Sequence, residues 1–297
     1  MKKQKWILGL VLVLVLSLTL TACGKKEEPK EDVAENAGET VVEQDNEKED
    51  AGEPAGDDNS LQNVLDKGKL VVATSADYPP YEFIAIIDGK DEIVGFDISM
   101  VKYIAEELGV ELELQNMDFD NVLMAIPSGK VDMAIAGLSA DPTRDMEFSD
   151  IYYEATHSIL VTKDNVDKYA SIDDLQGKLI GAQLGTTQEK ILGGMDGVDA
   201  KILTDVRNIV MELKTNKLDG VMMETPVAQS YELGNEDLVV VPTIVIQDLS
   251  EGTAIGFKTG NLALRDKVNE ILAKIKDEDL MSGWVAEANA IVEEQGL

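Results

Sequence analysis

Along residues 61–297 the sequence predicts an α/β fold, because strand-like apolar runs alternate with amphipathic helical stretches. Glycine, proline and hydroxyl residues punctuate the joins. At 297 residues the chain is long enough for about two domains.

The elements follow in order. Residues 70–74 read as a buried strand, and 97–108 as a helix stopped by Gly109. Residues 111–114 suit a strand and 119–126 a helix, closed by Pro127, Ser128 and Gly129. Further strands are expected over 131–136, 158–162, 179–182, 220–223, 238–242 and 254–257. Helices are expected over 186–192, 209–216, 226–233, 262–276 and about 282–294. Such alternation implies largely parallel sheets, and these bind ligands beyond the carboxyl ends of their strands. Four loops qualify, beginning at Ser75, Gly137, Gln183 and Glu224.

The first loop carries Ser75, Asp77 and Tyr78, two prolines, then Tyr81, Glu82 and Phe83. A rigid aromatic stacks on a ligand at low entropic cost. Tyr78 is placed in the site, and Tyr81 and Phe83 in the core. The second loop offers Gly137 for close backbone approach, the Ser139 hydroxyl and the Arg144 fork. Two roles are open to Arg144: an ion pair with Asp141 or Asp145, or a grip on a ligand carboxylate. In the third loop Thr186 and Glu189 have capping-box spacing beside Gln183 and Thr187, which suits plain capping or an anion site. In the fourth, Thr225 can cap and Pro226 can open a helix, leaving Glu224 at a strand end to meet a ligand ammonium. Together these groups suit a zwitterion.

Composition excludes other classes. The net charge of −31 argues against nucleic-acid binding, which needs clustered Lys and Arg. One cysteine, Cys23, permits no internal disulfide, and His157 is the sole imidazole for any triad or zinc site. No cofactor is expected. At the N-terminus, Lys2, Lys3 and Lys5 precede an apolar run over 6–20, too short for a span of about 20 residues but apt for a signal peptide over 1–22. Residues 24–60 hold 14 acids and 4 bases with little apolar content, so 23–60 read as an acidic disordered tether.

Several motifs carry a family resemblance over about 60–290. They are the loop from Ala73 to Phe83, Gly95-Phe96-Asp97, Met117-Asp118-Phe119, residues 128–132, Arg144 with residues 148–153, residues 174–178 and Gly185-Thr186-Thr187. In order and spacing the chain resembles the bacterial family 3 extracellular solute-binding proteins, the polar-amino-acid receptors of ABC importers. The run 20–24 likewise resembles a lipobox, with Cys23 as the lipidated first residue. The resemblance implies two lobes of periplasmic-binding-protein type II, each a mostly parallel sheet flanked by helices, joined by two crossings. Lobe one is placed at 60–157 plus 253–297 and lobe two at 158–252. It implies that Arg144 grips the α-carboxylate with help from Gly137, Ser139 and Thr187. Glu224 takes the α-amino group, and Tyr78 and Phe119 flank the ligand.

Two departures stand out. Glu224 replaces the family's usual aspartate, and Ser75 stands where some members that bind basic side chains or glutamine carry aspartate. The second departure points to a neutral polar side chain, read by Ser75, Asp77 and Gln183. The expected partners are an amino acid, ABC permease subunits and, through Cys23, the outer face of the cell membrane. A monomer is expected, and not an enzyme. Two other uses of the fold stand beside this one. One is a dehydratase with Glu224 or His157 as general acid. The other is a sensor, which would need a membrane-spanning partner because no second apolar run of about 20 residues occurs. His157 is expected to be structural, at the lobe boundary.

Overall fold

The computed structural model describes residues 58–297 apart from Leu249 and Glu251. The signal run, Cys23 and most of the expected tether lie outside the described residues. Residues 58–60, which the sequence groups with the tether, are instead bound to the first lobe. The Asp58 carboxylate accepts from the Ser60 amide at 2.9 Å and from the Ala263 amide. Ser60 then opens α1 (Ser60–Lys67).

The first lobe begins with β1 (Lys69–Thr74) and a small antiparallel sheet of β2 (Asp77–Tyr78), β3 (Glu82–Ile87) and β4 (Lys90–Val94). Then come α2 (Phe96–Leu108), β5 (Glu111–Asn116), α3 (Phe119–Ser128), β6 (Met133–Ala134) and β7 (Glu147–Phe148). The second sheet is built from β8 (His157–Thr162), β9 (Leu179–Gln183), α4 (Thr187–Gly193), β10 (Asp199–Leu203), α5 (Val206–Lys214), β11 (Gly220–Glu224), α6 (Thr225–Gly234) and β12 (Leu238–Ile246). The chain returns to the first sheet in β13 (Gly256–Phe257) and ends in α7 (Leu262–Asp277) and α8 (Leu280–Gln295).

The sheets have the orders β5-β1-β6-β13-β7 and β10-β9-β11-β8-β12. Parallel pairing joins β1 to β5 and β6, and β9 to β10 and β11. The strands next to each crossing pair antiparallel: β7 and β13 in one sheet, β8 and β12 in the other. The expectation of mostly parallel sheets therefore holds for one side of each sheet, β5-β1-β6 and β10-β9-β11, and not for its crossing flank. Strands that leave and re-enter a lobe need no helical return over the sheet, so nothing forces them parallel.

Periodicity explains most elements. The inward faces of α2 and α7 bury Val101, Ile104, Val268 and Ile271 against Val72, Met133 and Phe257. Full burial of such a side chain contributes about 1.5–3 kcal/mol. In the second lobe Ile159, Ile180, Leu192, Met222 and Val241 form an equivalent core. Gly109 ends α2 with φ of 69° in the left-handed region, as its position suggests. The run 131–136 yields only Met133–Ala134, since its flanks turn to other tasks: the Ile135 amide bonds the Ala73 carbonyl, and the chain then bends into the site. Helix α5 starts at Val206 rather than 209, because the Asp205 carboxylate caps it by accepting from the Asn208 amide at 3.1 Å. The β3–β4 hairpin goes beyond the sequence expectation, although Asp88-Gly89 at its tip is a strong hairpin signal.

The two crossing segments pair with each other. The Thr253 amide donates to the Tyr153 carbonyl at 2.8 Å, and the Ala140 amide to Gly252 at 3.1 Å. Gly252 holds φ of 151°, and a Cβ there would lie 2.5 Å from the Tyr153 carbonyl oxygen. This close approach needs glycine.

Candidate functional site

The carboxyl ends of β1, β6 and β9 converge on a narrow polar cavity whose free space is about 10 Å³, room for roughly one water. Ser75, Tyr78, Phe119, Gly137, Ser139 and Arg144 line it from the first lobe. Gln183, Thr186 and Thr187 line it from the second. The structure thus gathers every sequence-expected residue except Glu224. Asp77, Glu82, Ala136 and Gln188 complete the wall.

Arg144 is not a surface residue. Its side chain is 8% exposed and reaches Asp141 only at 4.0 Å. Its Nη2 donates to the Gly185 carbonyl at 3.0 Å across the lobes, its guanidinium lies 5.7 Å above the Phe119 ring, and its buried Nη1 has no partner. Asp141 is occupied elsewhere. Burial works against its charge, but Lys190 and Thr143 more than offset this and bring its carboxyl to about 2.

At the other end stand acids. Glu82 sits fully buried at the start of β3, and both its carboxylate oxygens lack a partner. Burial and the neighbouring Asp97 push its carboxyl well above the ordinary range. Asp97 lies beneath, accepting from the Tyr152 hydroxyl at 2.9 Å and the Gly137 amide at 3.1 Å. Burial still raises it to about 6. Asp77 accepts from Gln183 Nε2 at 3.0 Å and the Val206 amide at 2.7 Å, and burial raises it also to about 6.

The second lobe contributes neutral groups. Thr186 caps α4, accepting from the Glu189 amide at 3.3 Å, while Glu189 reaches back to the Gly185 amide at 2.7 Å. The Thr187 hydroxyl lies 3.3 Å from that of Ser139. Gln188 Nε2 donates to the Tyr78 hydroxyl at 3.3 Å and contacts His157 Nδ1 at 3.2 Å.

Glu224 departs from expectation. It is itself the cap residue of α6, and Thr225 instead begins the helix and bonds Thr156 and Ser158. Its amide donates to the Tyr78 hydroxyl at 3.1 Å, so Tyr78 stands where Glu224 was expected to meet the cavity. The Glu224 carboxyl is buried behind the cavity wall with Oε2 unpartnered, and burial raises it to about 8. Tyr81 and Phe83 are buried in the core, with the Tyr81 ring 4.4 Å from that of Phe96.

His157 is fully buried as the first residue of β8, with Nε2 3.4 Å from Asp248 Oδ2. Asp248 escaped the sequence reading because it lies in a crossing segment with no helical or strand pattern. Glu82 escaped as a site residue because the hairpin that holds it was not foreseen. Gln188 sits in the first turn of α4, next to the recognised Thr187.

A cleft receptor, closing two α/β lobes over a small solute, is the class that this fold and cavity define. The chain belongs to the bacterial extracellular solute-binding proteins, family 3, whose profile matches residues 70–286. The arginine-binding extracellular protein ArtP of Bacillus subtilis is 36% identical over 229 residues, covering 73% of this chain and 86% of that protein. A probable histidine-binding protein of Campylobacter jejuni is 31% identical over 217 residues, covering 72% and 81%. A crystal structure of an amino acid ABC transporter substrate-binding protein from Streptococcus pneumoniae, bound to L-arginine, matches with a TM-score of 0.75. It is 38% identical, covering 78% of this chain and 98% of that one.

Proposed function

We propose that this chain is the extracellular receptor of an ABC importer and captures a cationic amino acid of the arginine type. One observation carries the reading: a buried cation and a buried acid with unpaired polar atoms, Arg144 and Glu82, line the same small cavity. The buried guanidinium gains an acceptor for Nη1 when a ligand carboxylate arrives, and a ligand cation would favour the ionised form of Glu82 that burial and Asp97 now disfavour. An α-carboxylate would pair with Arg144, assisted by Ser139 and Thr187. A guanidinium or ammonium side chain would lie along Tyr78 and Phe119 toward Glu82, with Asp77 near. The α-amino group would go toward Glu224. Ser75 leaves its own position without a counter-charge for a basic side chain, and Glu82, on the wall of the same cavity, would supply one instead. Charge-assisted hydrogen bonds contribute about 1.5–3 kcal/mol each, so a few reach the roughly 8 kcal/mol of micromolar binding.

The lobes would close by exchanging contacts already present between them. Arg144 to Gly185 and Ser139 to Thr187 give way to contacts through the ligand. On this reading lobe one spans 60–157 plus 253–297 and lobe two 158–252, and the permease reads the closed pair. Cys23, lipidated, would hold the receptor at the outer face of the membrane; continued membrane fractionation of Cys23→Ala would disprove that anchor. Calorimetry with L-arginine, L-lysine, L-histidine and L-glutamine tests the ligand class. Arginine should bind tightest, and glutamine binding best would remove Glu82 from the recognition of charge.

A further inference from the structure

Ser75, Asp77 and Gln183, which the sequence assigns to a ligand's neutral side chain, are bonded to one another. Asp77 is buried, and its Oδ2 accepts from Gln183 Nε2 at 3.0 Å and from the Val206 amide at 2.7 Å. Its Oδ1 accepts from the Ser75 hydroxyl at 3.1 Å. Gln183 Nε2 also donates to the Thr204 carbonyl at 3.0 Å. Both amide protons of Gln183 and the one hydroxyl proton of Ser75 are thus committed within the protein. The Tyr231 hydroxyl adds a bond to the Asp77 carbonyl at 3.3 Å.

These bonds join the two lobes. Ser75 and Asp77 stand at β1 and β2 of the first, whereas Gln183, Val206 and Tyr231 belong to β9, α5 and α6 of the second. Val206 is the first residue of α5, where the leading amides of a helix have no partner inside it. Asp205 takes the Asn208 amide from within the second lobe, and Asp77 takes the Val206 amide from across the seam. A carboxylate in that position also meets the positive end of the helix dipole. Asp77 lines the ligand cavity on one side and an outer pocket with Pro79, Arg207 and Tyr231 on the other. Its bonds therefore lie where the lobes meet, and separating the lobes must break them.

From this bridge we infer that Asp77 is a closing clasp, a positioning residue that seats α5 and β9 of the second lobe on the first and strengthens binding of every solute the cleft takes, without choosing among them. The inference rests on the proposed capture of a solute between closing lobes. The clasp differs from the other contacts across the seam. Arg144 has a buried Nη1 still without a partner, so its bond to Gly185 can give way to a ligand. Asp77 has a protein donor on each oxygen, so its bonds persist when the ligand is enclosed. A ligand's apparent affinity scales with the fraction of molecules able to hold the closed form. A bond made only in that form raises affinity without touching the ligand.

The experiment measures binding of L-arginine and L-glutamine to the wild type, Asp77→Ala and Asp77→Asn. In parallel, single-molecule energy transfer reads the closed fraction, with dyes on Lys90→Cys and Lys217→Cys in a Cys23→Ser background. Lys90 and Lys217 are exposed residues of the first and second lobe. Asp77→Ala removes the bridge. It should weaken both ligands alike by about tenfold, through faster dissociation, and lower the closed fraction with and without ligand. Asp77→Asn keeps an oxygen for the Val206 amide and should stay within about threefold of wild type for both ligands. If Asp77→Asn instead weakens arginine tenfold or more while its closed fraction is kept, Asp77 reads ligand charge and the inference is overturned. Wild-type affinity or an unchanged closed fraction in Asp77→Ala overturns it too. A wild type that binds neither ligand refutes the proposed function, and the ligand-free closed fraction of Asp77→Ala then decides the clasp by itself.

Discussion

The two lobes share a sheet plan but bring different chemistry to the cavity. The first supplies the ionisable groups that line it, Arg144, Glu82 and Asp77, and the second lines it with Gln183, Thr186, Thr187 and Gln188. Neutral hydroxyls and amides cost little to desolvate, whereas charges cost much. The lobe that holds the charges carries the recognition, and the other completes it at small expense. The difference also appears beneath the surface. Under the first-lobe wall the acids Glu82 and Asp97 lie together and are raised by burial, while in the second lobe Asp141's partner Lys190 serves an ion pair outside the cavity.

The largest expected effect breaks this division at its cation. Arg144→Ala should cost about 2–5 kcal/mol of binding, because the ligand carboxylate would be left buried without its partner. Calorimetry giving the wild-type affinity would remove Arg144 from the site. Next comes Glu82→Gln, which should weaken L-arginine by about 2–3 kcal/mol while sparing L-glutamine. The same variant should raise the melting point of the ligand-free chain, since an uncompensated buried acid is removed; a lower melting point would show that Glu82 has a stabilising partner. On the second lobe, Thr187→Val should cost only about 1 kcal/mol, the scale of one neutral hydrogen bond. A loss equal to that of Arg144→Ala would abolish the contrast between the lobes.

Stability should follow the same asymmetry with pH. Asp77 and Asp97 are raised from 3.8 to about 6, and Glu224 from 4.5 to about 8. An acid raised on folding binds more protons in the native state, so its contribution is full below the unfolded value and is lost as pH rises through the folded one. The ligand-free chain should therefore melt at progressively lower temperature from pH 4 to pH 8. Scanning calorimetry showing the reverse trend would mean that these acids have ionic partners. The smallest effect concerns the hinge: Gly252→Ala should destabilise by about 1–3 kcal/mol through backbone strain, with little change in affinity once folded. An unchanged melting point would show that the crossing can relax.

Much of the site was legible because loops after parallel strands carry it. Ser75 and Gly137 come after strands whose apolar runs are plain, Gln183 ends another, and Arg144 lies within the same stretch as Ser139. What escaped depends on the direction of side chains and on irregular backbone. The end of β11 was foreseen, but not that Tyr78 would take the Glu224 amide and leave its carboxyl behind the wall. Glu82 follows two prolines, and only the hairpin that pairs it with Tyr78 turns it inward. Asp248 belongs to a crossing, where no periodicity announces burial, and only its contacts with His157 and Ser139 reveal it.

The most direct measurement is a crystal structure of the chain grown with L-arginine. The account predicts the ligand carboxylate on the Arg144 guanidinium and the ligand guanidinium against Glu82, enclosed by both lobes. A ligand bound in the reverse sense, or seated away from these two side chains, would contradict it.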